Sequence, residues 1–312
     1  MITGSAFAAP PPALVTTFGG ADGYPSNPPL RYCLSGSTTN HDLVTEMNCA
    51  YLPSTFVNFN ADGTITTYPT SETPNVYCLD IWGNDPTQTK VDWTTCNQTH
   101  AQYWTYFDGQ IIPYYHPGYC LTVDGNGQGD TQDGTPISIR PCNRSQSQLF
   151  AVMGLPMKIQ SAQYSTCMEN PISNYPSFVL GTCDDNNQGQ DFLFSFQPHP
   201  PEGPTAISYN VSLETLTPGA AQSCVGWDGV EGDFVGIDRS CQSNNATAPW
   251  DYWQYTAQRQ LANATNSCLD LKFDDPNQRI DEYVCGTGNN AQIWNIWLKG
   301  FPTAPCRGLS CF

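Results

Sequence analysis

The chain has 312 residues, with 11 Lys+Arg against 28 Asp+Glu, a formal net charge of −17 and only 12% charged residues. That charge balance would repel nucleic-acid phosphates and anionic lipid, so neither nucleic acid nor a membrane is expected as a partner. The length suits two domains with cores of their own, and no window approaches the roughly 18 consecutive apolar residues of a membrane-spanning helix. Aromatics at 12%, with 26 Gly and 26 Pro, favour short strands and turns over helices.

Residues 1–13 are predicted to form an extended Pro-rich tail, with tail-like character to residue 29 through Pro10-Pro-Pro12 and Pro25-Ser-Asn-Pro28-Pro29. A first strand is predicted near 13–18. The opening Met1-Ile-Thr-Gly-Ser-Ala-Phe-Ala-Ala-Pro10 lacks a basic n-region and has too short an apolar run for a secretion signal. Either a signal has been removed or the natural start lies elsewhere.

The cysteines then fall into successive pairs at 33/49, 78/96, 120/142, 167/183, 224/241 and 268/285, each 16 to 22 positions apart. Their first members recur at intervals of 45, 42, 47, 57 and 44, which defines six repeats of about 45 residues. Repeat one opens with Tyr32-Cys33-Leu34. Repeat two has Tyr77-Cys78-Leu79-Asp80 and then Gln102-Tyr-Trp104, and repeat three has Tyr119-Cys120-Leu121 and then Gln148-Leu-Phe150. Repeat four is degenerate, with Cys167-Met168-Glu169 and Gln190-Asp-Phe192. The Pro-rich stretch 197–206 lengthens the next interval and reads as a surface loop or as the domain linker. Repeat five has Cys224-Val225-Gly226 and Asp251-Tyr-Trp253, without the Gln. Repeat six has Ser267-Cys268-Leu269-Asp270 and Gln292-Ile-Trp294. The tail 300–312 carries Cys306 and Cys311, which either close a small local loop or bond to a neighbouring chain.

Fourteen cysteines, with only His41, His100, His116 and His199 as imidazoles, point to an oxidising compartment and a secreted, extracellular protein. Five sequons begin at Asn97, Asn143, Asn210, Asn245 and Asn263, and are candidate N-glycosylation sites on surface loops.

Cys-Leu-Asp, a Gly-rich loop, a β run ending in Cys, and then Gln-x-Trp is similar to the repeat of ricin-B-type lectins; Asp133-Gly-Thr-Pro-Ile-Ser-Ile-Arg-Pro-Cys142 resembles its middle segment. The resemblance covers about residues 30 to 297 and implies an all-β chain of two tandem β-trefoils, three repeats in each. Most simply these are residues 14–152 and 153–299, with 197–206 an insertion in the second. It also implies that Trp104, Phe150 and Trp294 pack in the core, and that each cysteine pair is a bridge: Cys33–Cys49, Cys78–Cys96, Cys120–Cys142, Cys167–Cys183, Cys224–Cys241 and Cys268–Cys285. Cys306–Cys311 is the local option for the remaining two. Each repeat bridge closes a loop worth on the order of 3 kcal/mol through the unfolded chain.

Sugar sites of the family use an Asp two residues after the first cysteine, an aromatic shortly before the second, and Asn and Gln near Gln-x-Trp. The carboxylate and amides fork onto hydroxyls, and the ring stacks on the apolar face of the pyranose. Repeat six matches best, with Asp270, Tyr283, Asn290 and Gln292; repeat two offers Asp80, Trp93 and Gln102, with Ala101 where Asn is expected. Asp80 and Asp270 equally suit loop caps, and Tyr283 an ordinary strand surface. Repeat three has Thr122 and Arg140 at the key positions and is expected to be silent, as are repeats one, four and five. Asp124-Gly-Asn126-Gly-Gln128-Gly-Asp130 loosely resembles a calcium loop but lacks the closing Glu, so no metal and no cofactor are expected.

No catalytic motif emerges and nearly all of the chain is taken up by repeats, so an enzyme is not expected. Two functions fit: a secreted, N-glycosylated lectin whose partners are glycans, or a structural subunit of an extracellular filament, coat or matrix. In the second, copies of the chain assemble through the N-terminal tail.

Overall fold

The computed structural model describes residues 13–17, 32–36, 39–48, 56–69, 74–124, 134–170, 177–199, 208–216, 223–226, 233–238, 253–263, 266–272 and 279–300. The regular elements among them are β-strands and single 3-10 turns. The fold is all-β, two tandem β-trefoils.

Strand pairing closes each trefoil. Ala13–Thr17 runs antiparallel to Phe150–Met153, from Leu14 opposite Met153 to Thr17 opposite Phe150. Met157–Ser161 pairs in the same way with Trp294–Leu298. A ring of backbone bonds marks a threefold axis in repeats four to six. The Phe178 N–H donates to Val235 O (3.1 Å), Val235 N–H to Ile280 O (3.0 Å) and Ile280 N–H to Phe178 O (2.9 Å). In repeats one to three, Val44 N–H donates to Val91 O and Ile137 N–H to Val44 O. All six of these residues are buried, so the axis runs through apolar side chains that a single repeat has no means of covering.

The recurring aromatics explain why one text recurs. The indole N–H groups of Trp104, Trp253 and Trp294 donate to the carbonyls of Leu79, Val225 and Leu269, each the residue after the first cysteine of its repeat. A buried indole must place that proton, and the carbonyl after Cys is where the repeat puts its acceptor. Trp253 is therefore the aromatic of repeat five, although its triplet has lost the Gln. Trp104, Phe150 and Trp294 lie in the core.

Four bridges are in place among the described residues: Cys78–Cys96, Cys120–Cys142, Cys167–Cys183 and Cys268–Cys285. Cys33 and Cys224 are disulfide-bonded as well. Cys49, Cys241, Cys306 and Cys311 lie outside the described residues.

The trefoils meet at a two-residue hairpin. Asp108 (φ 51°) and Gly109 (φ 77°) link Trp104–Phe107 to Gln110–Pro113, and positive φ at both positions fits the right-handed twist of the strands. The Asp108 carboxylate is buried, accepts from Arg144 at 2.7 Å and the Tyr255 hydroxyl at 3.3 Å, and forms an ion pair with Arg259 at 3.1 Å, so repeats three and five converge on it. Burial holds this carboxyl above its usual range even though the two guanidiniums pull it down.

Two sequence expectations are revised. The Pro-rich stretch begins within a hairpin, because strand Phe192–His199 pairs with Ser208–Thr215 as far as His199 opposite Ser208; this also places Asn210 in a strand and not in a loop. Asn263 is buried, its amide donates to Glu282 and its carbonyl accepts from Ser267 N–H at 3.0 Å, which leaves no room for a glycan. Asn97 and Asn143 are exposed. In each, the side-chain oxygen accepts the N–H of the sequon's third residue, Thr99 at 3.1 Å and Ser145 at 2.8 Å, an Asx turn that accounts for the Asn on structural grounds as well. Asn245 lies outside the described residues.

Candidate functional site

In repeats two and six the strand after the first cysteine pairs with the strand before the second, and strand parity decides which residues face a ligand. Asp80 lies opposite Asp92 and Leu79 opposite Trp93, while Asp270 lies opposite Asp281. Side chains alternate, so Asp80, Asp92 and Thr94 share one face while Leu79 and Trp93 point to the other. Trp93 is fully buried and its indole donates to Ser35 O at 2.8 Å. This corrects its assignment to sugar stacking: three residues before Cys96 is one step out of phase.

In repeat six the Asp270 carboxylate accepts from Gln292 Nε2 at 2.7 Å and from Asn289 Nδ2 at 3.0 Å. The second partner corrects the expected Asn290, which is exposed. Asn289 also caps the 3-10 turn Asn290–Gln292 through Ala291 N–H, and that cap turns its amide toward Asp270. Tyr283, two residues beyond Asp281 on the same face, is 52% exposed. Its ring is free to stack. Burial raises the Asp270 carboxyl, while the amides of Gln292 and Asn289 pull it down.

Gln102 and Gln292 are fully buried. Gln292 accepts from Gly286 N–H (2.8 Å) and donates to Val284 O (3.0 Å) and Asp270, while Gln102 accepts from Asn97 N–H (2.8 Å) and donates to Thr95 O (3.1 Å). Gln148 and Gln190 do the same in repeats three and four. The Gln of each triplet is thus a brace that ties the end of its repeat's strand and orients the residue at the Asp position, and it does not itself reach a ligand.

Repeat two carries a surface cavity of about 470 Å³, within the size range of ligand pockets, lined by His41, Asp80, Trp82, Asp92, Thr94 and Asn97 among others. The aromatic wall is Trp82, which is 39% exposed and absent from the sequence-based set. His41 comes from repeat one and crosses Trp82 edge-on at 5.9 Å, with its Nδ1 3.0 Å from Asp92 Oδ2. It arrives because Asp42–Leu43 pairs with the strand that carries Asp92. Burial pushes the Asp80 carboxyl up to about 6, with the Gln102 bond pulling down, Asp92 adding to the rise and His41 opposing it. Burial also raises Asp92, against its bond to His41. A ring beside paired carboxylates and amides suits a ligand with one apolar face and many hydroxyls.

Repeats three and four are closed. In repeat three Asp124 accepts from Arg140 and from Ser138, so the one described oxygen donor of the supposed calcium loop is already engaged; the rest of that loop lies outside the described residues. Thr122 takes the bond from Gln148 that an Asp would receive. In repeat four Glu169 fills the Asp position and accepts from Gln190 at 2.9 Å, and it lies where a side chain at Gly181 would stand. Among the described residues no group of three or more His, Cys, Asp or Glu forms a metal site.

Comparison with known families matches residues 66–192 to the ricin-type beta-trefoil lectin domain. This stretch belongs to the ricin-type beta-trefoil lectin family. It runs from repeat two into repeat four. Solved structures similar to the chain include the agglutinin from Abrus precatorius, 18% identical over 94% of this chain and 98% of that one, TM-score 0.37. Another is a non-toxic homologue of type II RIPs from Momordica charantia (bitter gourd), in complex with alpha-methyl-D-galactoside, 16% identical over 92% and 98%, TM-score 0.35. A third is an endo-beta-galactosidase from Clostridium perfringens, 8% identical over 92% and 67%, TM-score 0.35. The curated proteins gave no match.

Proposed function

We propose that the protein is a secreted, non-catalytic lectin that binds glycans through repeats six and two. The observation that carries this reading is the face shared by Asp270 and Tyr283: a carboxylate held by Gln292 and Asn289 beside an exposed ring. Repeat two adds Asp80, Asp92, Trp82 and His41 around the cavity. Two sites on one chain give avidity for a surface that displays several glycans. The trefoils are assigned to residues 14–152 and 153–299, in keeping with the two closing strand pairs. N-glycans are assigned to Asn143, with Asn245 as a further acceptor; Asn97 lines the repeat-two cavity, where an attached glycan would occupy the sugar site, so it is assigned as bare.

The filament or coat reading draws on the tail of residues 1–13, tail-like to 29, and on Cys306 and Cys311; apart from the strand Ala13–Thr17 these lie outside the described residues, and no described contact favours it. Removing 1–29 would also remove Ala13–Thr17, which closes the first trefoil; a test of tail-driven assembly must stop at residue 12. The lectin reading is tested by calorimetric titration with the sugars selected by a glycan array. Tyr283→Ala and Asp270→Asn together should abolish binding at one of two sites with the fold intact, and two unchanged sites would refute the assignment.

A further inference from the structure

Outside the repeat-two cavity lies a group of four rings that no sugar-site pattern accounts for. His100 and Tyr115 are stacked, with centroids 3.8 Å apart and planes 13° from parallel. Tyr103 and Tyr114 meet Tyr115 edge-on at 6.1 and 5.1 Å, and Tyr115 is 45% exposed. A single exposed tyrosine needs no explanation. Here one ring is held from three directions and still faces solvent, so it presents apolar area with little rotamer freedom left to lose on binding.

The rings continue the cavity. His100 stands between Thr99 and Ala101, both of which line it. The turn His100–Gln102 packs against the turn Trp82–Asn84, which carries the cavity's aromatic wall. On the far side, the hydroxyl and amide of Thr87 donate to the Asp85 carboxylate and hold it below its usual range. The ledge thus runs from Trp82 past Asn84 to the His100–Tyr115 stack, edged by Asn97 and Thr99. Rings alternating with amides and hydroxyls suit a chain of linked pyranoses, and the acidic groups Asp80, Asp85 and Asp92, in a chain of net charge −17, disfavour an anionic one.

We propose that the repeat-two site takes a neutral oligosaccharide, with one unit in the cavity against Trp82 and the next laid along the His100–Tyr115 stack. This rests on the reading of that cavity as a sugar site. The test uses the full-length chain carrying Tyr283→Ala and Asp270→Asn to silence repeat six. It is titrated with methyl glycosides of galactose, glucose and N-acetylglucosamine, and with linear neutral oligosaccharides ending in each. An oligosaccharide is expected to bind at least tenfold more tightly than its methyl glycoside. Tyr115→Ala should weaken the oligosaccharide roughly 3- to 10-fold, from the worth of a ring contact, and leave the methyl glycoside unchanged. His100→Ser, which removes half the stack without touching Tyr103 or Tyr114, should act in the same direction. Equal affinities for short and long sugars, with both variants inert, would overturn the ledge and leave the cavity a single-sugar site. No binding of any of these sugars would overturn the cavity's assignment and the ledge with it.

Discussion

Acidification should empty the repeat-two cavity while the fold stays intact. The Asp80 carboxyl lies at about 6 instead of the ordinary 3.8, because burial disfavours its charge and Asp92 stands opposite it. The other charged groups facing it are few: His41 pairs with Asp92, and Lys90 lies 5.9 Å from the Trp82 ring. A carboxylate with that value is almost wholly ionised at pH 7.5 and roughly one-tenth ionised at pH 5. A sugar hydroxyl donates to the ionised form, so affinity should fall on the order of tenfold across that span. Stability moves the opposite way. A carboxyl whose folded value lies above its unfolded value binds more protons when folded, so its contribution is fully present below about 4 and is lost as pH rises through about 6. Titration calorimetry and thermal melts at matched pH, in the variant with repeat six silenced, measure both. Asp80→Asn should weaken binding and remove both pH dependences. A flat affinity from pH 5 to 7.5, or a midpoint near 6 that survives in Asp80→Asn, would refute the reasoning.

Tyr283→Ala alone should weaken sugar binding at repeat six by about 3- to 10-fold, the worth of one ring contact, without moving the melting temperature, since the ring is half in solvent. Gly109→Ala should cost roughly 2–4 kcal/mol in a denaturant titration: its φ is 77°, and an added Cβ would lie 2.8 Å from the Tyr255 ring across the junction of the trefoils. A loss under about 0.5 kcal/mol would mean that the hairpin is not clamped there. Glycopeptide mapping of protein secreted from a eukaryotic culture should find Asn143 occupied and both Asn97 and Asn263 bare, the first because it lines the sugar cavity and the second because it is buried with its amide engaged.

Much of the fold was legible because each repeat spells out its constraints locally. A cysteine at each end, an apolar residue after the first and an aromatic seven or more positions beyond the second are needed in every copy, so the text recurs even where single letters have decayed. The site was legible only in part. Asp80 and Asp270 could be read because they keep a fixed distance from a cysteine. Trp93 misled because counting to an aromatic near Cys96 ignored strand parity, which would have excluded it. Asn289 was missed in favour of its neighbour because the geometry of the 3-10 turn, and not proximity to Gln292, decides which amide reaches Asp270. Trp82 and His41 left no signal in repeat two's own pattern: one follows the Asp in a turn, and the other comes from repeat one through pairing of sequence-distant strands.

The most direct test of the central claim is a glycan array probed with the folded full-length protein beside the Asp80→Asn/Asp270→Asn double variant. The account expects the wild-type chain to bind a defined set of glycans and the double variant to lose them while melting at a similar temperature. A blank array for the folded wild-type chain, or binding that the double variant retains in full, would contradict it.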